Sequence, residues 1–355
     1  MRILLIRTSA LGDVVHTLPV LTALRRHFPQ ARIGWVVEEA MRPVLAGHPD
    51  LDEILTVRLR PWRRRITSVE TLAEIDAFFA ALDRFDADVA LDLMGNHKAG
   101  FIAALTHAGR RIGAARRHRR EPSSALWINE GVAPRGTHAV DRALSLLDAL
   151  GVPPEPADFG GEKIFAEPSF TAFSPFSAGP ARALLESGEP YVLVHPGAGW
   201  RNKIYPPAWW GEVAARIWEA TGLRTWVASN RAEEALATAV VEASRAQDGT
   251  SAAIAVPAPD LPTLAALLRG ARLVMGGDSG PTHLAHALGT SVLMVMGPTD
   301  PLRHGPYGAP ERAVWKLLPC SFCYKRFGET KACLLELPPD RVADRAFALL
   351  GPQTR

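Results

Sequence analysis

The apolar run Ile3-Leu-Leu-Ile6 ends at a small-residue turn, Thr8-Ser-Ala-Leu-Gly-Asp13, and a helix-period segment then runs from Asp13 to His27. An unbroken apolar run bounded by a turn signal reads as a strand buried on both faces of a parallel sheet. Strand, tight glycine turn and helix is the unit with which an α/β sheet builds a ligand crevice at its strand ends. Asp13 puts a carboxylate in that crevice.

The unit recurs. The first half predicts strands at Arg2–Ile6, Arg32–Val37, Glu53–Val57, Val89–Leu93 and Arg110–Gly113, with helices at Asp13–His27, Val69–Arg84, His97–His107 and His138–Leu150. The pattern lapses over Pro153–Gly188, which is rich in Pro, Gly, Ser and Phe and reads as a linker with one edge strand. It restarts with strands at Tyr191–His195, Arg224–Ala228, Leu273–Gly276 and Ser291–Met296 and helices at Pro207–Thr221, Ala232–Ser244, Leu261–Arg269 and Gly280–Leu288. Two successive βα arrays predict an α/β chain of two Rossmann-like, doubly wound parallel-sheet domains facing across a cleft. The expected divisions are residues 1–160, a linker over 161–189, a second domain over 190–335 and a C-terminal helix within 336–355. That last helix, Asp340–Leu350, fits on either domain.

A chain of 355 residues is long enough for two domains. Its 47% hydrophobic and 22% charged content is that of an ordinary soluble globular protein. No apolar stretch is long enough to span a bilayer, and the first apolar run stops at Arg7 without a cleavage site, so a cytoplasmic location is expected. The net charge of +3 hides local clustering. Arg58, Arg60, Arg63, Arg64 and Arg65 form one group; Arg110, Arg111, Arg116, Arg117, Arg119 and Arg120 form another. Two such groups in one half point to an anionic partner, because the guanidinium fork matches phosphate and carboxylate. No helix-turn-helix, RNP or zinc-finger pattern accompanies them, which argues against nucleic acid. An anionic lipid surface fits the same charge.

Asp13 has two readings from the residues alone. It is a favoured helix N-cap, worth about 1 kcal/mol, and it is a general base for a hydroxyl. Gly276-Gly-Asp-Ser-Gly-Pro-Thr-His-Leu284 follows an apolar strand and opens a helix, so its backbone N–H groups form an anion site reinforced by the helix dipole. Asp278 repels a phosphate and suits sugar hydroxyls or an N-cap. His283 and His286 suit helix packing better than a metal pair. His195-Pro-Gly-Ala-Gly-Trp-Arg-Asn-Lys203 is a second glycine turn, but Gly197-x-Gly199-x-x-Asn202 departs from the dinucleotide fingerprint and no acid closes the next strand. A nicotinamide oxidoreductase is the weaker reading. A non-catalytic binder of anionic lipid is a third.

The arrangement Arg7-x-Ser9-x-x-Gly12-Asp13-hydrophobic-x-x-x-x-Pro19 resembles the N-terminal motif of the ADP-heptose:lipopolysaccharide heptosyltransferases, glycosyltransferase family nine. The resemblance continues in order through Arg60-Pro-Trp-Arg-Arg64, Asp92-x-x-Gly95-x-x-Lys98, Arg120-Glu-Pro122, His138-x-x-x-Arg142, the Gly197–Lys203 turn, the Gly276–Leu284 turn and Gly297-Pro-Thr-Asp-Pro301, from Met1 to about Tyr307. It implies the GT-B architecture and an inverting transferase. The first domain takes an anionic lipid A–Kdo acceptor at Ser9, Gly12, Arg60, Arg63, Arg64, Lys98 and Arg120. The second takes the ADP-heptose donor at Gly197, Gly199, Lys203, Glu233, Asp278, Ser279, Gly280, Thr282 and His283. It also implies Asp13 as catalytic base, no cofactor, and a peripheral place on the inner face of the cytoplasmic membrane. The arginine segment favours the heptosyltransferase I branch over heptosyltransferase II or another nucleotide-sugar transferase of this fold.

The strings Asp50–Asp52 and Asp86–Asp88 lie in the first half, before apolar strands, and read as turns rather than as metal ligands of a nucleotide sugar. No metal is expected. Cys320-Ser-Phe-Cys323 with Cys333 lacks a fourth zinc ligand nearby, which leaves free thiols, a disulfide or a metal all open.

Overall fold

The structure is a computed structural model, and it describes residues 1–166, 180–245 and 249–351. The chain divides into two compact units, Met1–Pro168 and Ser169–Arg355. The first contains β1 (Arg2–Ile6), β2 (Arg32–Glu38), β3 (Glu53–Val57), β4 (Val89–Asp92), β5 (Arg110–Ala114) and β6 (Glu130–Val132). They form one sheet in the order β3-β2-β1-β4-β5-β6, and every pair is parallel. Ile3, Leu4, Leu5 and Ile6 are fully buried, as a central strand covered on both faces requires.

The second unit contains β7 (Tyr191–His195), β8 (Arg224–Ser229), β9 (Ala253–Pro257), β10 (Leu273–Gly277), β11 (Val292–Val295) and β12 (Ala313–Val314). Their order is β12-β11-β10-β7-β8-β9, again all parallel. Counted within its own unit, each sheet has the same order: third, second, first, fourth, fifth, sixth. The strand order therefore reverses between β1 and β4 and between β7 and β10. Those are the two places where an open α/β sheet splays its loops apart and admits a ligand.

The expected α/β class with two doubly wound parallel sheets is what the chain forms. β6, β9 and β12 were not foreseen. β6 and β12 are too short to show a pattern, and β9 mixes Ala with a terminal Pro, which edge strands tolerate.

The expected helix Asp13–His27 is two helices, Leu11–Val15 and Leu18–His27. Pro19 causes the break: its ring excludes the carbonyl four residues back, at Val15, and it supplies no N–H. The expected helix His138–Leu150 is an α-turn, Ala139–Leu144, followed by the tighter Ser145–Leu150. The Ser145 hydroxyl bonds the Arg142 carbonyl at 3.0 Å and competes with the regular ladder. Within the expected linker, Gly161–Lys163 is a 3-10 turn and Pro180–Ser187 a helix; residues 167–179 lie outside the described part, and no strand occurs among the described residues there.

The helix Pro339–Leu350 packs in the second unit. Its Val342, Ala343, Ala346 and Leu350 join Trp210, Val213 and Ile217 in one buried cluster. Val342, Leu350, Val213 and Ile217 each contribute about 1.5–3 kcal/mol of burial, and the two alanines less. Tyr205 Oη donates to the Leu337 carbonyl at 2.7 Å and fixes the approach to this helix. No helix among the described residues is long and apolar enough to cross a membrane.

Candidate active site

β1 ends beside β4 with Ile6 opposite Asp92, so the turn after each strand opens at the first reversal point. Asp13 stands there, but not as the N-cap. Ala10 occupies that position, and Asp13 lies three residues into the Leu11–Val15 helix. Its Oδ2 accepts the Ala10 N–H at 3.2 Å, and its Oδ1 pairs with Arg7 Nη2 at 2.5 Å. Arg7 is held from behind, since its Nη1 donates to the Leu93 carbonyl at the end of β4. Asp13 is 47% exposed against 17% for Arg7, so the carboxylate faces solvent over a fixed countercharge. Ser9 and Gly12 are partly exposed in the same turn.

Asp92, at the end of β4, is a structural hub. Its Oδ1 accepts the N–H groups of Met94 and Gly95 at 3.0 Å each, and its Oδ2 pairs with Arg119; neither side chain of that pair is exposed. A buried pair of this kind survives because each charge has further partners, here Ser124 Oγ at 2.8 Å from Arg119 Nε. The second arginine group is thus dispersed. Arg119 braces the loop, Arg110 pairs with Glu130 at 2.8 Å, and Arg111 binds the Trp127 and Ala108 carbonyls. Arg116, Arg117 and Arg120 remain exposed.

Lys98 lies 3.9 Å from Glu38, at the end of β2. Burial pushes the Lys98 ammonium down and the Glu38 carboxyl up, and each partner's charge opposes the other's shift. Glu38 went unnoticed in the sequence, where an acid closing a strand has no distinguishing signal. The segment read as an arginine loop is a short helix, Leu59–Arg64. Trp62 anchors it, buried against Phe78 with its Nε1 donating to Glu74 at 2.7 Å. Arg58 is tied to Glu74 and Glu39, while Arg60, Arg63 and Arg64 point outward.

At the second reversal point, Lys203 Nζ meets Asp278 Oδ2 at 2.5 Å. The same oxygen accepts from Thr299 Oγ1 at 2.7 Å, and Oδ1 faces His283 Nε2 at 2.9 Å. Burial opposes the charge on Asp278, but the His283 hydrogen bond and the Lys203 charge hold the carboxyl well below its usual range. Both Asp278 oxygens are engaged by the chain itself. Asp278 is also not an N-cap; Ser279 holds that position, its hydroxyl 3.0 Å from Thr282 Oγ1. Gly280 opens the helix behind it.

The glycines of this turn make room for protein. A Cβ on Gly276 would lie 2.7 Å from Thr282 Oγ1 and 2.9 Å from the His195 carbonyl, and one on Gly277 would lie 3.0 Å from the Lys203 carbonyl. Their absence lets β10 draw the Lys203 turn against the helix start. His304 is also near; burial pushes its imidazole down to about 4, against the pull of Asp278.

Lys203 and Arg326 both lie over the Trp200 ring, at 4.3 and 4.6 Å from its centroid. Arg326 lies between Cys323 and Cys333, in a stretch with no motif to mark it. Glu233 packs against the Gly197 backbone so closely that a Cβ there would be 2.1 Å from its carboxylate. Asn230 Nδ2 donates to Glu233 at 2.5 Å, His195 Nε2 is 3.7 Å away, and burial raises the Glu233 carboxyl. Burial also lowers His195 to about 4. Gly199 has open space around it. The structure therefore gathers Gly197, Lys203, Glu233, Asp278, Ser279, Thr282 and His283 around the ends of β7, β8 and β10.

The Asp-x-Asp strings serve ion pairs. Asp50 binds Lys163, Asp52 binds Arg25, and Asp86 and Asp88 bind Arg2. Cys320, Cys323 and Cys333 are free thiols, and among the described residues no His, Cys, Asp or Glu cluster is spaced to hold a metal ion.

Comparison with known proteins identifies the family and the fold. Residues 75–333 match glycosyltransferase family 9 (heptosyltransferase). The chain is 31% identical to lipopolysaccharide heptosyltransferase 1 of Pseudomonas aeruginosa, over 100% of this chain and 99% of that protein. It is 30% identical to lipopolysaccharide heptosyltransferase 1 of Escherichia coli K12, over 87% of this chain and 91% of that one. The solved structure of E. coli heptosyltransferase WaaC with ADP superposes with a TM-score of 0.72 at 28% identity, covering 88% of this chain and 92% of the other. The fold is accordingly that of the GT-B heptosyltransferases, and the chain belongs to glycosyltransferase family 9.

Proposed function

We propose that this protein is an inverting heptosyltransferase that moves heptose from ADP-heptose to the Kdo–lipid A inner core of lipopolysaccharide. The observation that carries the reading is a cation–carboxylate pair at each sheet's reversal point, Arg7–Asp13 in one unit and Lys203–Asp278 in the other. Residues 1–160 take the acceptor and residues 190–335 the donor.

Asp13, open to solvent beside Arg7, accepts the proton of the acceptor hydroxyl. The hydroxyl oxygen then bonds to the anomeric carbon as the bond to ADP breaks on the opposite face. Negative charge grows on the departing diphosphate, where Lys203 and the amides at the Gly280 helix start stabilise it. Lys203 must exchange Asp278 for phosphate to do so, and Thr299 and His283 keep Asp278 in place meanwhile. Glu233 beside Gly197 suits the ribose hydroxyls. Arg60, Arg63, Arg64, Lys98 and Arg120 meet the acceptor's phosphates and carboxylates. An acceptor anchored in a bilayer implies work at the inner face of the cytoplasmic membrane. The outward arginines of the Leu59–Arg64 helix, and the full-length likeness to a lipopolysaccharide heptosyltransferase 1, favour the Kdo–lipid A acceptor over a later core sugar.

The test is ADP release from ADP-heptose with purified Kdo–lipid A in excess EDTA. Acceptor-dependent release supports the reading. Release with a heptosylated core but not with Kdo–lipid A moves the protein to the heptosyltransferase II step. Activity that needs added magnesium or manganese overturns the role given to Lys203.

A further inference from the structure

Among the described residues twelve large apolar side chains are exposed, and three of them fall at one place. Ile66 is 60% exposed, Val69 78% and Leu72 52%. They occupy the turn after the Leu59–Arg64 helix and the first turn of the next helix, Val69–Phe85. This placement has no packing explanation. The Val69–Phe85 helix already buries Thr71, Phe78, Leu82 and Phe85 on one line. Val69 and Leu72 share a second line, roughly 100–160° around the helix at 3.6 residues per turn.

Charge surrounds the apolar tip. Arg60, Arg63, Arg64 and Arg65 are exposed beside it, with Glu70 as the exposed acid in the same stretch. Asp76, one turn beyond Leu72 on the second line, interrupts the apolar run, and Phe79, a further turn along, is only 39% exposed. The most exposed apolar side chains therefore gather at the tip. The tip lies at the strand-end side of the sheet, because β3 runs out to Val57 there and the Val69–Phe85 helix carries the chain back to the start of β4. The Asp13 turn opens on the same side, after β1.

We propose that Ile66, Val69 and Leu72 insert into the interface of an anionic phospholipid bilayer, with Arg63, Arg64 and Arg65 on the headgroups. Aliphatic side chains ringed by arginine fit a bilayer interface, where apolar burial and headgroup attraction add. Single-stranded nucleic acid would call for exposed aromatic faces at the tip, and this tip has none. This inference rests on the reading of the acceptor as a lipid-anchored glycan. It adds an apolar membrane contact, beside the arginines given to the acceptor, that would bring the Asp13 side of the sheet to the surface on which that glycan stands.

The full-length protein is floated with vesicles of phosphatidylcholine containing phosphatidylglycerol and with vesicles of phosphatidylcholine alone, neither carrying acceptor. The comparison protein is the triple variant Ile66→Ser/Val69→Ser/Leu72→Ser; these side chains are exposed, and an unchanged melting temperature confirms its fold. The wild type is expected to float with the anionic vesicles and the variant to partition about tenfold less. Turnover on a soluble, deacylated Kdo–sugar acceptor is expected to be the same for both proteins, and turnover on acceptor embedded in vesicles to fall in the variant. Equal flotation of the two proteins overturns the proposal, as does failure of the wild type to float. Loss of binding to an oligonucleotide without any effect on vesicles assigns the tip to nucleic acid and also overturns it. The transferase reading fails separately, by absence of transfer to the soluble acceptor in the wild type.

Discussion

Asp13 shows how far one residue can be read from sequence. Its place after a strand and a glycine turn was legible, and so was a carboxylate at the crevice. Its partner was not, because Arg7 reaches it only once the Leu93 carbonyl has fixed the guanidinium. Asp13→Asn is expected to keep the fold and donor binding and to lower turnover by at least about a hundredfold, the low end of general-base contributions. Asn can still accept the Ala10 N–H, so stability by thermal melt should move by less than about 1 kcal/mol. Turnover within a few-fold of wild type would remove Asp13 as the base.

Lys203 needs a paired test. Lys203→Ala leaves Asp278 buried without its cation, so both stability and rate should fall, the rate by about 10- to 150-fold for a phosphate contact of about 1.5–3 kcal/mol. Lys203→Ala/Asp278→Asn removes the stranded charge. Recovery of the melting temperature without recovery of turnover is the expected outcome, and it separates support of the turn from work on the leaving group. The sequence could not show this coupling, since 75 residues separate the two side chains.

At the scale of elements, long periodic helices such as Pro207–Thr221 and central strands such as Tyr191–His195 were legible to the residue, because burial on a fixed face imposes their pattern. Short elements were not. The Leu59–Arg64 helix carries too few residues for a period, and its existence depends on Trp62 finding Phe78 and Glu74 from another helix. The same blindness merged two kinds of arginine, those spent on Asp92, Glu130 and carbonyl groups and those left outside. Reversing Arg60, Arg63 and Arg64 to Glu together should raise the acceptor KM while leaving donor affinity alone. Exposed pairs are individually weak, so single changes can be silent and the triple change is the fair test. Steady-state kinetics at low and high salt read it: wild-type acceptor binding should weaken with salt, as screening over about 8–10 Å requires. Normal acceptor kinetics in the triple variant would leave the Leu59–Arg64 helix without a role in substrate choice.

At the scale of the whole molecule, each unit hides neutral imidazoles. His48 in the first unit, and His195 and His304 in the second, are each lowered by burial from 6.5 to about 4. Unfolding frees them to bind protons below about pH 6.5. Stability should thus be full above that value and fall as pH drops from about 6.5 towards 4, by up to about 1.4 kcal/mol per pH unit for each imidazole. Urea melts at pH 7 and pH 5 measure this, and His48→Gln should flatten the slope for the first unit alone. A slope unchanged by that substitution would detach His48 from acid lability.

The donor half also idles with its cation engaged. Lys203, which is proposed to receive the diphosphate, already holds Asp278 of its own chain. Any dissolved anion must therefore outcompete a tethered rival, and even flexible tethers present such rivals at millimolar effective concentration. A lone phosphate or acetate ion offers a single contact in exchange and gains little. A nucleoside diphosphate sugar brings a second phosphate, a ribose and a hexose-like ring, and it can afford the exchange. Under the donor role proposed for Lys203, the internal pair would act as a threshold on ligand size, turning away small anions before any recognition of sugar or base begins.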